Sequence, residues 1–134
     1  MTNLLIIDKN KGMSEEVSNY LSLWGYNTFI TDTKEDAINK LKTLPFDIIF
    51  IDESILGKGP IDTIKSIRTF AYNIPFIMTF SSSRSDSIHL IEQAKEDVAD
   101  TLFKPYCGER LMFLIEGLLS RCEGKGKNAC KGIL

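Results

Sequence analysis

Five short apolar runs alternate along this chain with five segments of helical periodicity, and that alternation leaves few folds open. The runs are LLII (4–7), NTFIT (27–31), DIIFI (47–51), FIMTF (76–80) and TLF (101–103). Between them apolar residues recur at spacings of three and four, as in Met13, Val17, Tyr20, Leu21 and Trp24, or Leu111, Leu114, Ile115 and Leu118. Strand and helix alternating through five rounds imply right-handed crossovers and a parallel sheet. The runs at 4–7 and 48–51 carry no alternating polar residues, as strands covered on both faces require. The expected fold is therefore α/β, a three-layer αβα sandwich around one five-stranded parallel sheet. A chain of 134 residues suits a single domain.

The helix boundaries are punctuated in the sequence. Gly25 ends the first helix, expected over about 13–24, and Trp24 on its stripe is expected in the core. Thr33-Lys34-Glu35-Asp36 resembles a capping box, with Asp for the usual Glu, and Pro45 stops that helix. Pro60 suits a first helical position, and the serines of SSSRSDS offer caps for the fourth helix. The fifth helix is expected over about 107–120. The domain is read as residues 1–121. The rest, 122–134, is read as a flexible basic tail or a truncated linker: four bases and one acid from Arg121 onward give +3, leaving −5 on residues 1–120.

Composition removes several classes of function. A net charge of −2 argues against nucleic-acid binding within this chain. The apolar runs fall far short of the ~20 residues of a membrane helix. MTNLLIID has no basic segment ahead of its apolar run, so no secretory leader is expected. Three cysteines without metal-type spacing fit reduced thiols and a cytoplasmic location. His89, the sole histidine, has no partner at ligand spacing and is expected in surface or half-buried packing. Cys107, near a helix start, has nothing else about it to suggest a nucleophile.

In a parallel α/β sheet, ligands bind beyond the carboxyl ends of the strands. Asp8 ends the first run, Asp52 the third, and Lys104 follows the fifth. Each alone has a plain structural role, since Asp readily serves turns. Two acids and one base brought to the same rim from distant parts of the chain ask for more. A phosphoryl group needs a nucleophile, a divalent cation and a fixed positive charge.

With LLIID, FDIIFIDESIL, IPFIMTF and ADTLFKPY in that order, residues 3–120 resemble a receiver domain of the bacterial two-component response regulators. The resemblance implies the flavodoxin-like strand order 2-1-3-4-5. It implies a phosphorelay function, with Asp52 the phosphoacceptor, Lys104 the contact to the phosphoryl oxygens, and no substrate turnover of its own. Asp8, Asp52 and the Ser54 carbonyl would hold Mg²⁺. The partner would be a sensor histidine kinase or a phosphotransfer protein. A second copy or an output domain would meet the face of the fourth helix, fifth strand and fifth helix. The family's Lys-Pro bond is commonly cis.

The sequence departs from the family at four places. The second acid after the first strand, a direct Mg²⁺ ligand in the family, is Lys9 here. Mg²⁺ binding is thus expected to be weak or absent: a millimolar site is worth ~4 kcal/mol, and an ammonium ~4 Å from a carboxylate contributes about as much. Lys9 either competes with the ion, stands in for it, or points to solvent. The family's switch hydroxyl, five residues after the proline, falls on Phe80; Ser81 would replace it if the loop shifts by one, whereas Thr79 faces the opposite side of the sheet. The loop after Asp52 reads Glu-Ser-Ile-Leu in place of the frequent Met-Pro pair, and Thr101 stands where a switch aromatic is common.

Two other readings compete with phosphoacceptance. One is a receiver that binds partners without phosphorylation. The other, a flavodoxin-like small-molecule binder, wants a Ser/Thr-rich phosphate loop where this chain has DKNKGMSEE. A hydrolase finds no nucleophile elbow or triad in the sequence.

Overall fold

The structure, a computed structural model, describes residues 2–81 and 83–124. Five parallel strands, β1 (Asn3–Ile7), β2 (Asn27–Thr31), β3 (Ile48–Asp52), β4 (Phe76–Phe80) and β5 (Asp100–Phe103), form one sheet in the order β2-β1-β3-β4-β5. The helices are α1 (Lys11–Ser22), α2 (Lys34–Thr43), α3 (Glu53–Leu56), α4 (Pro60–Arg68), α5 (Arg84–Ala94) and α6 (Gly108–Gly124). The expected α/β sandwich and strand order are both present. The four-residue α3 is an addition to the five helices expected, because it is too short to show a period.

Side-chain alternation along the strands divides the core in two. Leu5, Ile7, Ile49, Ile51, Phe76, Met78 and Phe80 face the layer of α2, α3, α4 and α5. Leu4, Ile6, Ile48, Phe50, Ile77 and Leu102 face α1 and α6. Each buried aliphatic side chain contributes roughly 1.5–3 kcal/mol of hydrophobic stabilisation, so both layers are strongly fixed to the sheet.

The helix starts follow the expected chemistry. The side chains of Asn10, Thr33 and Ser83 accept hydrogen bonds from the main-chain N–H groups of Met13, Asp36 and Asp86, capping α1, α2 and α5. Pro60 begins α4. Gly25 follows α1 with φ of 87°, a conformation that suits glycine.

Two expectations need correction. Trp24 is 57% exposed rather than core, touching Tyr20 at a 6.5 Å ring separation. It lies beyond the C-cap residue Leu23, where helical periodicity no longer sets direction. The last helix continues to Gly124, beyond the expected end near residue 120. Residues 125–134, most of the expected tail, lie outside the described residues. His89 is exposed. Among the described residues no helix is long and apolar enough to cross a membrane.

Candidate functional site

The site forms where β1, β3, β4 and β5 end. β1 pairs with β3 so that Ile7 is level with Ile51, which sets Asp8 and Asp52 side by side one step further. β3 pairs with β4 with Asp52 level with Thr79, and β4 pairs with β5 with Thr79 level with Leu102. By alternation Asp52, Thr79 and Lys104 all belong to the α1/α6 face of the sheet. The Lys104 main-chain N–H donates to the Phe80 carbonyl at 2.7 Å, which anchors the lysine as the chain leaves β5. The Lys104-Pro105 peptide is cis.

Three charged side chains meet here. The Lys104 ammonium lies 2.5 Å from Asp8 Oδ2 and 3.0 Å from Asp52 Oδ1. All three side chains are 6% exposed or less. Removing such charges from water costs several kcal/mol per ion, and only close pairing with full hydrogen bonding offsets it. The remaining partners supply that. Asp8 Oδ1 accepts from the Asn10 N–H at 2.9 Å, Asp52 Oδ2 from the Ser54 N–H at 3.1 Å, and Asp52 Oδ1 from the Thr79 hydroxyl at 2.6 Å. All four carboxylate oxygens are engaged.

These contacts set the protonation states. Burial pushes the Asp52 carboxyl up, yet the hydrogen bonds from Thr79, Ser54 and Lys104 outweigh it and hold the group below its ordinary value. Burial pulls Lys104 down, and the bonds to Asp8 and Asp52 more than reverse that, so its ammonium is held above the ordinary lysine value. Tyr106, mainly through burial, is pushed up to about 12; Thr79 and the Asp8–Lys104–Asp52 charges also act on it. Asp52 is thus held as a carboxylate and Lys104 as an ammonium, beside a neutral phenol.

Above these groups is an exposed rim. Lys9 is exposed; its N–H donates to Ser54 Oγ at 3.4 Å, and among the described residues its ammonium makes no ion pair. Of the roles open to Lys9, the solvent-facing one is observed. Ser81 is also exposed, and its main-chain N–H donates to Glu53 Oε2 at 2.8 Å, tying the turn after β4 to the start of α3.

The structure therefore brings Asp8, Asp52 and Lys104 together, along with the main-chain N–H of Ser54 rather than its carbonyl. The Ser81 side chain makes no hydrogen bond to Asp52 among the described residues. Contrary to the expectation that it faces away, Thr79 lies on the face that Asp52 occupies, opposite Phe80, and so belongs to the site. Tyr106, Asn10 and the Glu53–Ser81 tie were not singled out from sequence, and Thr79 was set aside. The register between β3 and β4 would have revealed Thr79, since it decides which hydroxyl stands level with Asp52. Phe80 is buried on the other face, stacked on Phe103 at 5.2 Å, with the Arg84 guanidinium 5.3 Å from the Phe103 ring centre.

A metal finds a poor donor set. Asp8 and Asp52 share the Lys104 ammonium, and position 9 offers a cation rather than a third acid. Among the described residues no group of three or more His, Cys, Asp or Glu side chains is arranged to hold a metal. Mg²⁺ wants six oxygens in near-octahedral array; the side chains present do not fit it.

Comparison with known proteins agrees with this architecture. The chain is 21% identical over 128 residues to the cell cycle transcriptional regulator CtrA of Caulobacter vibrioides, an alignment covering 96% of this chain and 54% of CtrA. The chain thus spans about half the length of that relative. Its fold superposes with a TM-score of 0.80 on a CheY-like receiver domain from Methanospirillum hungatei, at 17% identity and covering 94% of this chain and 99% of that one. A response regulator from Burkholderia pseudomallei, solved with a phosphorylated aspartic acid, calcium ion and citrate, matches with a TM-score of 0.76 at 19% identity, covering 95% and 74% of the two chains. The sequence pattern of the response regulator receiver domain matches residues 4–116, and the chain belongs to that family.

Proposed function

We propose that this chain is a phosphoacceptor receiver that signals through phosphorylation of Asp52. The observation that carries the reading is the convergence of residues 8, 52 and 104, far apart in sequence, into one buried ion cluster beneath an exposed rim. Asp52 is held as a carboxylate, the state a nucleophile needs. In the proposed step an Asp52 oxygen attacks the donor's phosphorus. The P–N bond of a phosphohistidine, or the P–O bond of an acyl phosphate, breaks, and the leaving group keeps the electron pair. Oδ2, which accepts the Ser54 N–H, is the freer oxygen for attack, because Oδ1 holds both Thr79 and Lys104. The Lys104 ammonium then balances charge on the phosphoryl oxygens. Thr79 is the hydroxyl placed to respond, in preference to Ser81.

The donor would be a histidine kinase or phosphotransfer protein reaching the rim of Lys9, Ser54 and Ser81. The face of α5, β5 and α6, the one expected to meet an output domain or a second copy, carries exposed Ile88 and Phe113. Intact-mass measurement after incubation with acetyl phosphate tests the reading, with Asp52→Asn as control. One added phosphoryl group in the wild type and none in the variant is the expected result. No added mass at any donor concentration would leave a receiver that binds partners unphosphorylated.

A further inference from the structure

The lost acid at position 9 and the arrangement of Lys104 point in the same direction. The family's divalent ion answers the negative charge of three acids, but this cluster has two, and each of their oxygens already accepts at least one contact. Lys104 touches both carboxylates, Asn10 and Ser54 donate main-chain N–H groups to one oxygen of each, and Thr79 takes the remaining contact on Asp52. An incoming ion would have to share these carboxylates with the ammonium and the N–H and O–H donors already on them. Position 9 is also where a third ligand would have to stand: its N–H reaches Ser54 Oγ, so it bridges the loops that follow β1 and β3. What stands there is an exposed cation, which repels a divalent ion approaching through the rim. Glu53, the next acid along, has Oε2 on the Ser81 N–H at the far side of the turn.

We infer that the site works without a divalent metal, with Lys104 as its built-in cation, and that Lys9 is the residue that keeps the metal out. This rests on the phosphoacceptor reading for its chemistry, though not for its binding prediction. The step balances without an ion. The Asp52 carboxylate displaces acetate from acetyl phosphate, the P–O bond to acetate breaks with its electrons, and no proton moves because Lys104 stays protonated throughout.

Two measurements on the full chain separate the inference from the reading it rests on. Calorimetric titration with MgCl₂ is expected to show no saturable binding in the wild type up to several times the ~1 mM dissociation constant of an ordinary weak site. Lys9→Asp exchanges a repelling charge for a ligand and is expected to gain saturable binding. The rate of labelling by acetyl phosphate is expected to be the same within about twofold in excess Mg²⁺ and in EDTA, since no transition-state contact passes through the ion. Saturable millimolar binding by the wild type, or a loss of about tenfold or more in labelling rate in EDTA, overturns the inference. Failure to label in both media overturns the phosphoacceptor reading instead, and the titration then still decides the metal question. Should Lys9→Asp fail to fold, the wild-type titration carries the decision alone.

Discussion

On the α1/α6 face of the sheet's carboxyl edge, Asp8, Asp52, Thr79 and Lys104 form a buried polar cluster with its hydrogen bonds satisfied. On the other face, one residue along the same strands, Phe80 stacks on Phe103 with Arg84 against the second ring. The two regions are back to back, and neighbouring residues, 79 with 80 and 103 with 104, are assigned to opposite chemistries by the two-residue period of a strand. Both regions resist water, by different means. The aromatic corner is held by area and ring packing, which tolerates small displacements. The ionic corner is held by paired charges that become costly the moment one is removed. A hydroxyl at position 80 would have faced the aromatic layer; in this chain the hydroxyl beside Asp52 is at 79 and faces α1 and α6. A response to phosphorylation at Asp52 would therefore start on the side of Tyr106 and α6.

The largest effects would test whether the two corners are independent. Lys104→Met leaves two carboxylates buried without their counter-ion and is expected to cost ~3–5 kcal/mol in urea unfolding while abolishing labelling of Asp52. Phe80→Ala is expected to cost a similar ~3–5 kcal/mol through the cavity it leaves, yet to retain labelling at temperatures where the variant is folded. Equal loss of labelling in both would mean that the aromatic corner supports the site directly.

A smaller effect sharpens the assignment of the hydroxyl. Thr79→Val keeps the shape but removes the donor to a charged oxygen, with an expected cost of ~1–3 kcal/mol. Thr79→Ser should recover most of that, whereas Ser81→Ala should change stability little. If Ser81→Ala proved the more damaging, the register argument would be wrong.

The smallest effect is in the pH dependence. Asp52 has its folded value held below the ordinary 3.8, so its contribution is complete above about that pH and is lost as the pH falls through the lower folded value. Lys104 is raised above 10.5, so its contribution is complete below that pH and fades as the pH rises through the folded value. Tyr106, at about 12 against an ordinary 10.0, adds to the alkaline decline. Urea midpoints are expected to form a plateau between these limits, and Asp52→Asn to flatten the acid limb. An unchanged acid limb in that variant would show that other carboxylates dominate it.

How much of this was legible in sequence depends on the range of the physics involved. The strand runs were, because continuous apolar residues in short stretches have few other uses, and so were the cap at Thr33 and the first-turn proline at Pro60, which act within one helical turn. Asp8, Asp52 and Lys104 were legible as candidates because a charge at the end of an apolar run needs a partner. Trp24 was misplaced because periodicity was carried two residues past the end of α1. Thr79 was set aside as facing away from the site, although it meets Asp52, because the stagger between β3 and β4 is a property of two segments far apart in the chain.

By itself the sequence determined the layered fold, the alternation that splits the core, and the loss of an acid at position 9, since these follow from local pattern and residue chemistry. Tertiary structure alone decided that one ammonium serves both carboxylates, that Lys9 faces solvent, and that Thr79 rather than Ser81 meets Asp52. Those outcomes depend on the register between strands and on distances of about 3 Å between groups far apart in the chain. No local periodicity encodes such distances.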